Sequence, residues 1–188
     1  MESGPSDAQL VALLRAGHSE AFEALYRRHA AFVLNLAVRV QGTAADVEDL
    51  VHDAFLKAHE RIDALREPSA FRPWLGSIIV MQVRARLRRR RFLGSLGLGY
   101  GEAIELDAIA SPQAGPDARA QLAQVYALLQ TLATDDRIAW TLRVIERQSL
   151  EDVARLSQCS LATAKRRIAR AQRFLNEHFV AAFGEEGS

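Results

Sequence analysis

Apolar residues recur every three or four positions along most of the chain, and this spacing constrains the possible folds more than any other feature. A clear example is the run of Phe22, Leu25, Val33, Leu36 and Val40. Such a period places the apolar side chains on one face of an α-helix. An apolar–polar alternation typical of a half-buried strand is not found. The sequence therefore predicts an all-α protein.

Residues with known capping roles mark several helix ends. Ser6 and Gln9 have the spacing of a capping box, in which each side chain bonds the backbone of the other residue. Gly42 follows the long apolar run, and glycine commonly ends helices because it adopts left-handed backbone angles. We predict that the first helix starts near Ser6 and that the second ends at Gly42.

The helical period is interrupted once, over residues 93–118, where glycine and proline accumulate, as at Gly94 and Pro112. Both residue types break regular helices. We therefore predict two small helical domains, residues 1–92 and residues 119–188, joined by a flexible linker over residues 93–118. Fully extended, this linker of 26 residues spans at most roughly 85 Å.

Cysteine, histidine and hydropathy exclude several classes of protein. Cys159 is the single cysteine, so no internal disulfide can form and a reducing cytoplasm is the expected compartment. His52 and His59 lack the tight spacing of a metal site. The start of the chain lacks a signal-peptide pattern, and no apolar run approaches the roughly 18 residues of a membrane span. We predict a cytoplasmic protein without membrane insertion, metal or cofactor that is not an enzyme.

Two short helices with capping residues are predicted close together near the C-terminal end. Ser149 and Asp152 resemble a capping box that opens the first, and Ser160 can cap the second after a few connecting residues. Two short helices joined this tightly predict a helix-turn-helix within residues 134–175.

The second of these helices has an apolar face that includes Ala164 and Leu175 and an outer face that is polar and basic. The outer face is formed by Ser160, Thr163, Lys165, Arg166, Arg167 and Arg170. A DNA-recognition helix needs such a face, because its N-terminal residues reach base edges while nearby cations neutralise phosphates. The alternative is a solvated face of a helical bundle. We favour DNA binding because the turn is short and no carboxylate interrupts the cations.

A second basic cluster occupies the end of a helix predicted over residues 70–91. Its members are Arg84, Arg86, Arg88, Arg89, Arg90 and Arg91. Cations stabilise a helix C-terminus, but that role does not require six of them. Contact with phosphates explains the run better. Phe71 and Trp74, earlier in the same helix, have a spacing that is more typical of core residues than of a platform for bases.

The chain resembles a known family in two separate segments. Residues 42–79 resemble conserved region 2 of bacterial sigma factors, the promoter-recognition subunits of RNA polymerase, in the sequence GTAADVEDLVHDAFLKAHERIDALREPSAFRPWLGSII. Residues 149–175 look like region 4 in SLEDVARLSQCSLATAKRRIARAQRFL. The order of the two regions, the absence of a region 3 domain and the short chain resemble the extracytoplasmic-function (ECF) group of the sigma-70 family.

The resemblance implies a function and partners. The chain is expected to bind core RNA polymerase, direct it to a two-part promoter and assist DNA strand opening. Docking on the clamp helices of the β′ subunit is implied for Asp46, Glu48, Asp49, Asp53 and Phe55. The β subunit, promoter DNA and an anti-sigma factor are the other implied partners. The linker is expected either to mimic nucleic acid near the polymerase active centre or to act as a passive tether.

The resemblance also assigns the two promoter elements. Binding of the −10 element is implied for Arg72, Trp74, Arg84, Arg86, Arg88, Arg89, Arg90 and Arg91. Binding of the −35 element is implied for Ser160, Thr163, Lys165, Arg166, Arg167 and Arg170. Elements about 25 bp apart lie ~85 Å apart along B-DNA, a distance that the linker and the two domains together can span.

Three positions depart from the family pattern. Met81 and Ala85 stand where an asparagine and an aspartate are frequent, which leaves the −10 preference of this chain open. Gln158 stands where the turn often has glycine. A side chain at positive φ carries strain of about 1 kcal/mol or more, so we expect a different local geometry in this turn.

Two other functions remain open at this stage. A regulator that uses the helix-turn-helix without joining polymerase would bind duplex DNA alone. A helical adaptor that binds only protein would show no salt-dependent DNA binding. The acidic helix next to the arginine run favours the sigma factor over both.

Overall fold

The computed structural model describes residues 4–97 and 105–183, which contain helices and turns and no β-strand. The α-helices in these two segments are α1 (Asp7–Arg15), α2 (Ser19–Gln41), α3 (Val47–Glu60), α4 (Phe71–Ser95), α5 (Leu106–Ile109), α6 (Pro116–Thr131), α7 (Thr134–Trp140), α8 (Leu150–Leu156) and α9 (Leu161–Phe183). The predicted all-α class is confirmed. No helix in the described segments is long and apolar enough to cross a lipid bilayer.

The predicted helix ends at Ser6 and Gly42 are also confirmed. The Ser6 hydroxyl accepts a hydrogen bond from the Gln9 amide, and the Gln9 side chain accepts one from the Ser6 amide at 2.8 Å. α2 ends at Gly42, whose φ of +81° lies in the left-handed region. The amide of Gly42 donates to the carbonyl of Val38, which closes the last turn.

Helices α1 to α4 form the N-terminal half and pack around the apolar face of α2. Its centre consists of fully buried side chains such as Leu25, Val33, Phe55, Phe71 and Leu75. The prediction that Phe71 is a core residue is therefore correct, and its side chain anchors the start of α4 in the bundle.

Helices α6 to α9 form the C-terminal half, with Leu129, Ile138, Leu142 and Leu175 buried between them. α7 continues into a π-helical segment, Thr141–Ile145. This segment leads into the turn before α8, so it sets the position of the helix-turn-helix against the rest of the half.

The two halves pack against each other and share one continuous apolar core. Leu156 of α8 lies over Gly76 of α4, where an added Cβ would come within 3.1 Å of the leucine methyl carbon. The Tyr126 hydroxyl donates to the carbonyl of Arg39 at 2.8 Å. The buried guanidinium of Arg137 donates to the carbonyl of Gln41. The absence of a side chain at Gly76 thus lets α8 approach α4 closely.

Part of the predicted linker is helical. α4 continues to Ser95 and α6 begins at Pro116, while residues 98–104 lie outside the described segments. Before α5, the Glu105 carboxylate accepts hydrogen bonds from the Thr43 hydroxyl at 2.6 Å and from the Ala44 amide at 2.9 Å. These bonds lower the pKa of the Glu105 carboxyl. The middle of the predicted linker is therefore attached to the turn between α2 and α3.

The turn between α8 and α9 keeps the geometry that glycine usually provides. Gln158 adopts φ +48°, so the expectation of a different local geometry was wrong. Its amide donates to the carbonyl of Arg155, and the next amide, of Cys159, donates to the carbonyl of Ala154 at 2.9 Å. These bonds satisfy the end of α8 and hold the left-handed residue in place. Cys159 is half-buried against the core.

Replacing Gln158 with glycine should raise the free energy of unfolding by about 1 kcal/mol, because glycine adopts left-handed angles without strain at Cβ. The exposed Gln158 side chain leaves little packing to lose. Urea titration followed by circular dichroism measures the change. Gln158→Ala keeps the Cβ and should stay within about 0.5 kcal/mol of the parent chain. An equal gain from both variants would contradict this explanation.

Candidate nucleic-acid interface

The helix-turn-helix is formed by α8 and α9 with four residues between them. The Ser149 hydroxyl accepts from the Asp152 amide at 3.0 Å and caps α8. The Ser160 hydroxyl accepts from the Thr163 amide at 3.2 Å and caps α9. Both caps satisfy amides that a helix start leaves unpaired. The predicted pair of helices is therefore present, with α9 in the position of a recognition helix.

The first turns of α9 expose the residues that the sequence assigns to base contact. Ala164 and Ala171 are fully buried against the core and orient the helix. Lys165 and Arg166 are exposed, and Thr163 is half-buried. The N-terminal end of α9 therefore offers cations and hydroxyl groups to solvent, as recognition of base edges requires.

Two further cations of α9 face carboxylates of α7. Arg170 donates to Asp136 at 2.6 Å, and this carboxylate is only 3% exposed. Arg167 donates to Asp135 at 2.8 Å. The predicted recognition face is consequently divided between exposed cations at its start and paired cations farther along.

The arginine run of α4 is also divided. Residues four apart, and seven apart, share one side of a helix, and Arg84, Arg88 and Arg91 point toward the C-terminal half. Arg91 donates to the carbonyl of Leu132 there. The other members of the run point in other directions. Arg86 and Arg90 lie near Asp46, and Arg89 is exposed to solvent.

One carboxylate joins arginines of both halves. Arg84 donates to Asp135 through Nε and Nη2, each at 2.6 Å, and Arg88 donates at 2.9 Å. With Arg167 they form what we call the Asp135 cluster: Asp135, Arg84, Arg88 and Arg167. Burial raises the pKa of the Asp135 carboxyl, but the hydrogen bond from Arg84 and the three positive charges outweigh it, so the pKa lies below its ordinary value.

The start of α4 places an aromatic pair beside an exposed cation. Phe71 is buried, and Trp74 is half-buried with its ring centroid 6.1 Å from that of Phe71. The Arg72 guanidinium lies 4.2 Å from the centroid of the Phe32 ring. One helical turn separates Met81 from Ala85, where the half-buried Met81 sulfur lies 3.7 Å from Arg84 Nη1 and Ala85 is exposed.

The residues predicted to dock on polymerase differ in how exposed their side chains are. Glu48, Asp49 and Asp53 are exposed on its outer side. Asp46 precedes the helix with φ +53° and pairs with Arg86. Phe55 is 1% exposed and packs inside the bundle, so its side chain supports α3 rather than forming the surface.

Asp135 and Asp136 are the important residues that the sequence analysis does not assign to this interface. Their arginine partners lie 51 and 34 residues away, and separations of this length leave no mark in local periodicity. The one indication in the sequence is the spacing of Arg84, Arg88 and Arg91, which places three cations on one side of α4. Such a cluster predicts an acidic partner but does not say which residue it is.

Comparison with known proteins decides the family. Residues 25–92 match the family model of sigma-70 region 2, and residues 122–175 match that of sigma-70 region 4. The RNA polymerase sigma-H factor of Pseudomonas aeruginosa is 33% identical over 179 residues, which cover 91% of this chain and 92% of the relative. This chain belongs to the ECF group of sigma-70 factors. Core RNA polymerase and promoter DNA are therefore its partners.

Other relatives and solved structures agree with this assignment. The ECF sigma-E factor of Escherichia coli K12 is 30% identical over 174 residues, covering 89% of this sigma factor and 91% of the relative. CnrH, solved with the cytosolic domain of CnrY, is similar with a TM-score of 0.61 and 27% identity over 94% of this chain and 99% of that one. RpoE of Bartonella quintana, solved with the anti-sigma factor NepR, is similar with a TM-score of 0.62 and 25% identity. This match covers 83% of this chain and 94% of that one.

Acid should remove the stabilising contribution of Asp135. Because its pKa is lowered in the folded chain, the charged carboxylate stabilises the fold above its ordinary pKa of about 3.9, and this contribution is lost as the pH falls through the lowered pKa. The difference in unfolding free energy between the parent chain and Asp135→Asn should be constant from about pH 5 to 8 and shrink below about pH 4.

Urea titrations at a series of pH values measure this difference. Asp117→Asn removes the same charge from an exposed position at the start of α6 and serves as the reference. A difference between parent and Asp135→Asn that is undiminished at about pH 2 would contradict the ion pairing.

Proposed function

We propose that this sigma factor docks on core RNA polymerase through α3, directs the enzyme to a two-part promoter and assists strand opening, without itself catalysing a reaction. The observation that carries this proposal is the exposed acidic side of α3 in a chain whose C-terminal half exposes the start of a basic recognition helix. One chain thus offers a surface for a basic protein partner and a surface for DNA. We assign residues 1–92 to region 2, residues 93–118 to the linker and residues 119–188 to region 4.

Docking rests on Glu48, Asp49 and Asp53, since exposed carboxylates complement a basic partner such as the clamp helices of β′. Asp46 belongs to the same surface, but its carboxylate forms an ion pair with Arg86. Phe55 acts from inside by holding α3 against the bundle.

Binding of the −10 element rests on the start and end of α4. Arg72 is exposed beside the half-buried Trp74, where a base that leaves the stack could be held by aromatic and cationic contacts. The arginines from Arg84 to Arg91 supply contacts to phosphates. Met81 and Ala85 offer no side-chain oxygen at the two positions where the family pattern has Asn and Asp, so neither side chain can accept a hydrogen bond from a base through oxygen there.

Binding of the −35 element rests on the exposed start of α9. Ser160 and Thr163 offer hydroxyl groups, and Lys165 and Arg166 offer cations. Arg167 and Arg170 lie farther along the same helix as further cations for phosphates, and in this structure they pair with Asp135 and Asp136. Because RNA polymerase acts in the cytoplasm, we expect this chain to be located there as well. An anti-sigma factor is the expected inhibitor, because both solved relatives are complexes with other proteins.

Run-off transcription tests the function directly. Purified chain added to core RNA polymerase should produce a transcript that depends on the promoter, and core alone should not. A library of genomic fragments from the source organism serves as the template, so that every promoter of that genome is offered to the enzyme. A folded chain that binds duplex DNA but yields no such transcript would indicate a regulator that works without polymerase.

Docking is tested separately from DNA binding. Asp49→Asn combined with Asp53→Asn should weaken binding to core polymerase by roughly tenfold, in the range of double losses at charged interfaces. Binding of the free chain to duplex DNA should not weaken. The control combines Glu60→Gln with Asp63→Asn, which removes equal charge from exposed positions near the far end of α3. Biolayer interferometry with immobilised core measures both, and equal losses would refute the assignment to the α3 face.

A further inference from the structure

The loop between α3 and α4 leads directly into the proposed −10 base site. This α3–α4 loop comprises residues 61–70, contains two short 3₁₀ turns and ends next to Phe71, the first residue of α4. Arg72 and Trp74 follow within one helical turn. The conformation of the loop therefore sets where this exposed cation and this aromatic ring stand.

Arg15, the last residue of α1, bonds the backbone of this loop. Its Nη2 atom donates to the carbonyl of Ile62 at 2.8 Å and to the carbonyl of Leu65. The side chains of Ile62 and Leu65 are themselves buried. A guanidinium suits this contact because it offers several N–H donors in a fixed plane. The first half of the α3–α4 loop is thus held by α1.

A carboxylate near Arg15 contributes little to this contact. Arg15 Nε lies 3.8 Å from Asp63 Oδ1, and the Asp63 side chain is 91% exposed. Exposed ion pairs add little stability because water and salt screen them. The bonds to the two carbonyls, rather than the ion pair, therefore hold the loop.

The opposite end of α1 supports the aromatic pair at the start of α4. Asp7, the first residue of α1, lies with Oδ2 2.9 Å from Nε2 of the buried His29. Arg28 donates to the other oxygen of Asp7 at 2.6 Å. The ring centroid of His29 lies 5.5 Å from that of Phe71, which in turn packs against Trp74. The two ends of α1 thus reach the base site by separate contacts.

The exposed part of the loop lies between these two supported points. Arg66, Glu67 and Ser69 are exposed, whereas Leu65 before them and Phe71 after them are buried. The last residue of α1 bonds one end of this segment, and the histidine paired with its first residue packs on the other end. A short segment fixed at both ends needs little further ordering when it binds a ligand.

We propose that α1 preorganises the site that receives a base leaving the −10 stack, and that Arg15 is a positioning residue that acts through the α3–α4 loop. The proposal rests on the proposed function, because it concerns the same base site beside Arg72 and Trp74. The match to the region 2 family model begins at residue 25, so α1 precedes the matched segment.

Preorganisation matters at this site because taking a base out of the stack is costly, and contacts with the protein must offset that cost. A loop that is disordered before binding adds the cost of fixing its backbone. Fixing a single residue corresponds to roughly tenfold in an equilibrium constant. Loss of the Arg15 donors should therefore weaken capture of single-stranded bases by roughly tenfold and leave the other surfaces of the chain unaffected.

Hydrogen exchange in the free chain tests the support of the loop. In Arg15→Gln, peptides that cover residues 61–70 should exchange several-fold faster, because the 3₁₀ turns open more often. The Ala64 amide, which donates to the carbonyl of Arg61 at 2.9 Å, is one of the affected groups. Peptides from α9 should be unchanged. Unchanged exchange in the loop, or an equal increase throughout the chain, would overturn the proposal.

Binding of single-stranded DNA by the holoenzyme tests the function of the loop. The probe is a fluorescein-labelled oligonucleotide with the non-template −10 strand of a promoter that the parent chain transcribes. Fluorescence anisotropy should show roughly tenfold weaker binding for Arg15→Gln. Binding to core polymerase and to a −35 duplex should stay within about twofold. Unchanged affinity for the single strand would overturn the proposal.

Two matched variants separate the carbonyl bonds from simple loss of charge. Arg27→Gln removes an arginine of α2 that is 72% exposed. Asp63→Asn removes the exposed carboxylate near Arg15. Both should bind the single strand within about twofold of the parent chain. A loss in either variant equal to that of Arg15→Gln would overturn the proposal.

Arg15→Met covers the case in which Arg15→Gln loses helical circular dichroism. Methionine keeps an apolar stem for packing but removes every donor. The same local increase in exchange and the same loss of single-strand affinity are expected. A methionine variant that equals the parent chain in both measurements would overturn the proposal.

The outcomes distinguish this proposal from the proposed function. If the parent chain supports promoter-dependent transcription and Arg15→Gln binds the single strand as tightly as the parent, the positioning role fails and the proposed function stands. If no chain supports such transcription, the proposed function fails, and hydrogen exchange still decides whether Arg15 holds the loop.

Discussion

The relation between the two halves depends on one carboxylate that is shared by three arginines. The formal net charge of the chain is only +1, yet its cations are concentrated on α4 and α9. Two such surfaces can pack closely only if negative charge lies between them. Asp135 supplies that charge from the start of α7, between the ends of both basic helices. The interface therefore combines an apolar contact that fixes shape with an ionic contact that uses residues needed elsewhere.

This arrangement links fold and function more tightly than two independent domains would. The helix-turn-helix exposes Lys165 and Arg166 but keeps Arg167 and Arg170 on carboxylates. The arginine run of α4 likewise keeps Arg89 exposed while Arg84 is paired. The exposed cations of both helices face solvent in this form, whereas the paired ones share their charge with carboxylates.

Local features of the fold can be predicted from the sequence, because they depend on neighbours along the chain. The caps at Ser6 and Ser160 and the glycine stop at Gly42 are visible as short motifs, and each is present. Residue preference alone predicts that Gln158 avoids left-handed backbone angles. The hydrogen bonds donated by the backbone amides of the turn outweigh that local cost. Tertiary context overrides a residue preference of about 1 kcal/mol.

The candidate site is predictable only as a list of charged residues. Helical periodicity tells which side chains share a face, but it does not tell which other element meets that face. The sequence presents the six arginines of α4 as one phosphate-binding group, whereas Arg86 turns toward Asp46 and Arg84 toward Asp135. The family resemblance places Phe55 in the docking surface, although its side chain completes the core beneath it.

The distance between the two halves, with and without polymerase, tests the central claim most directly. Dyes on Glu20→Cys and Glu177→Cys, in a chain with Cys159→Ser, report this distance by single-molecule energy transfer from exposed positions of α2 and α9. The free sigma factor should give one population of high transfer, which shifts to low transfer when core RNA polymerase and promoter DNA are added. Equal transfer in the two states would contradict the claim that one chain reaches both elements of a two-part promoter.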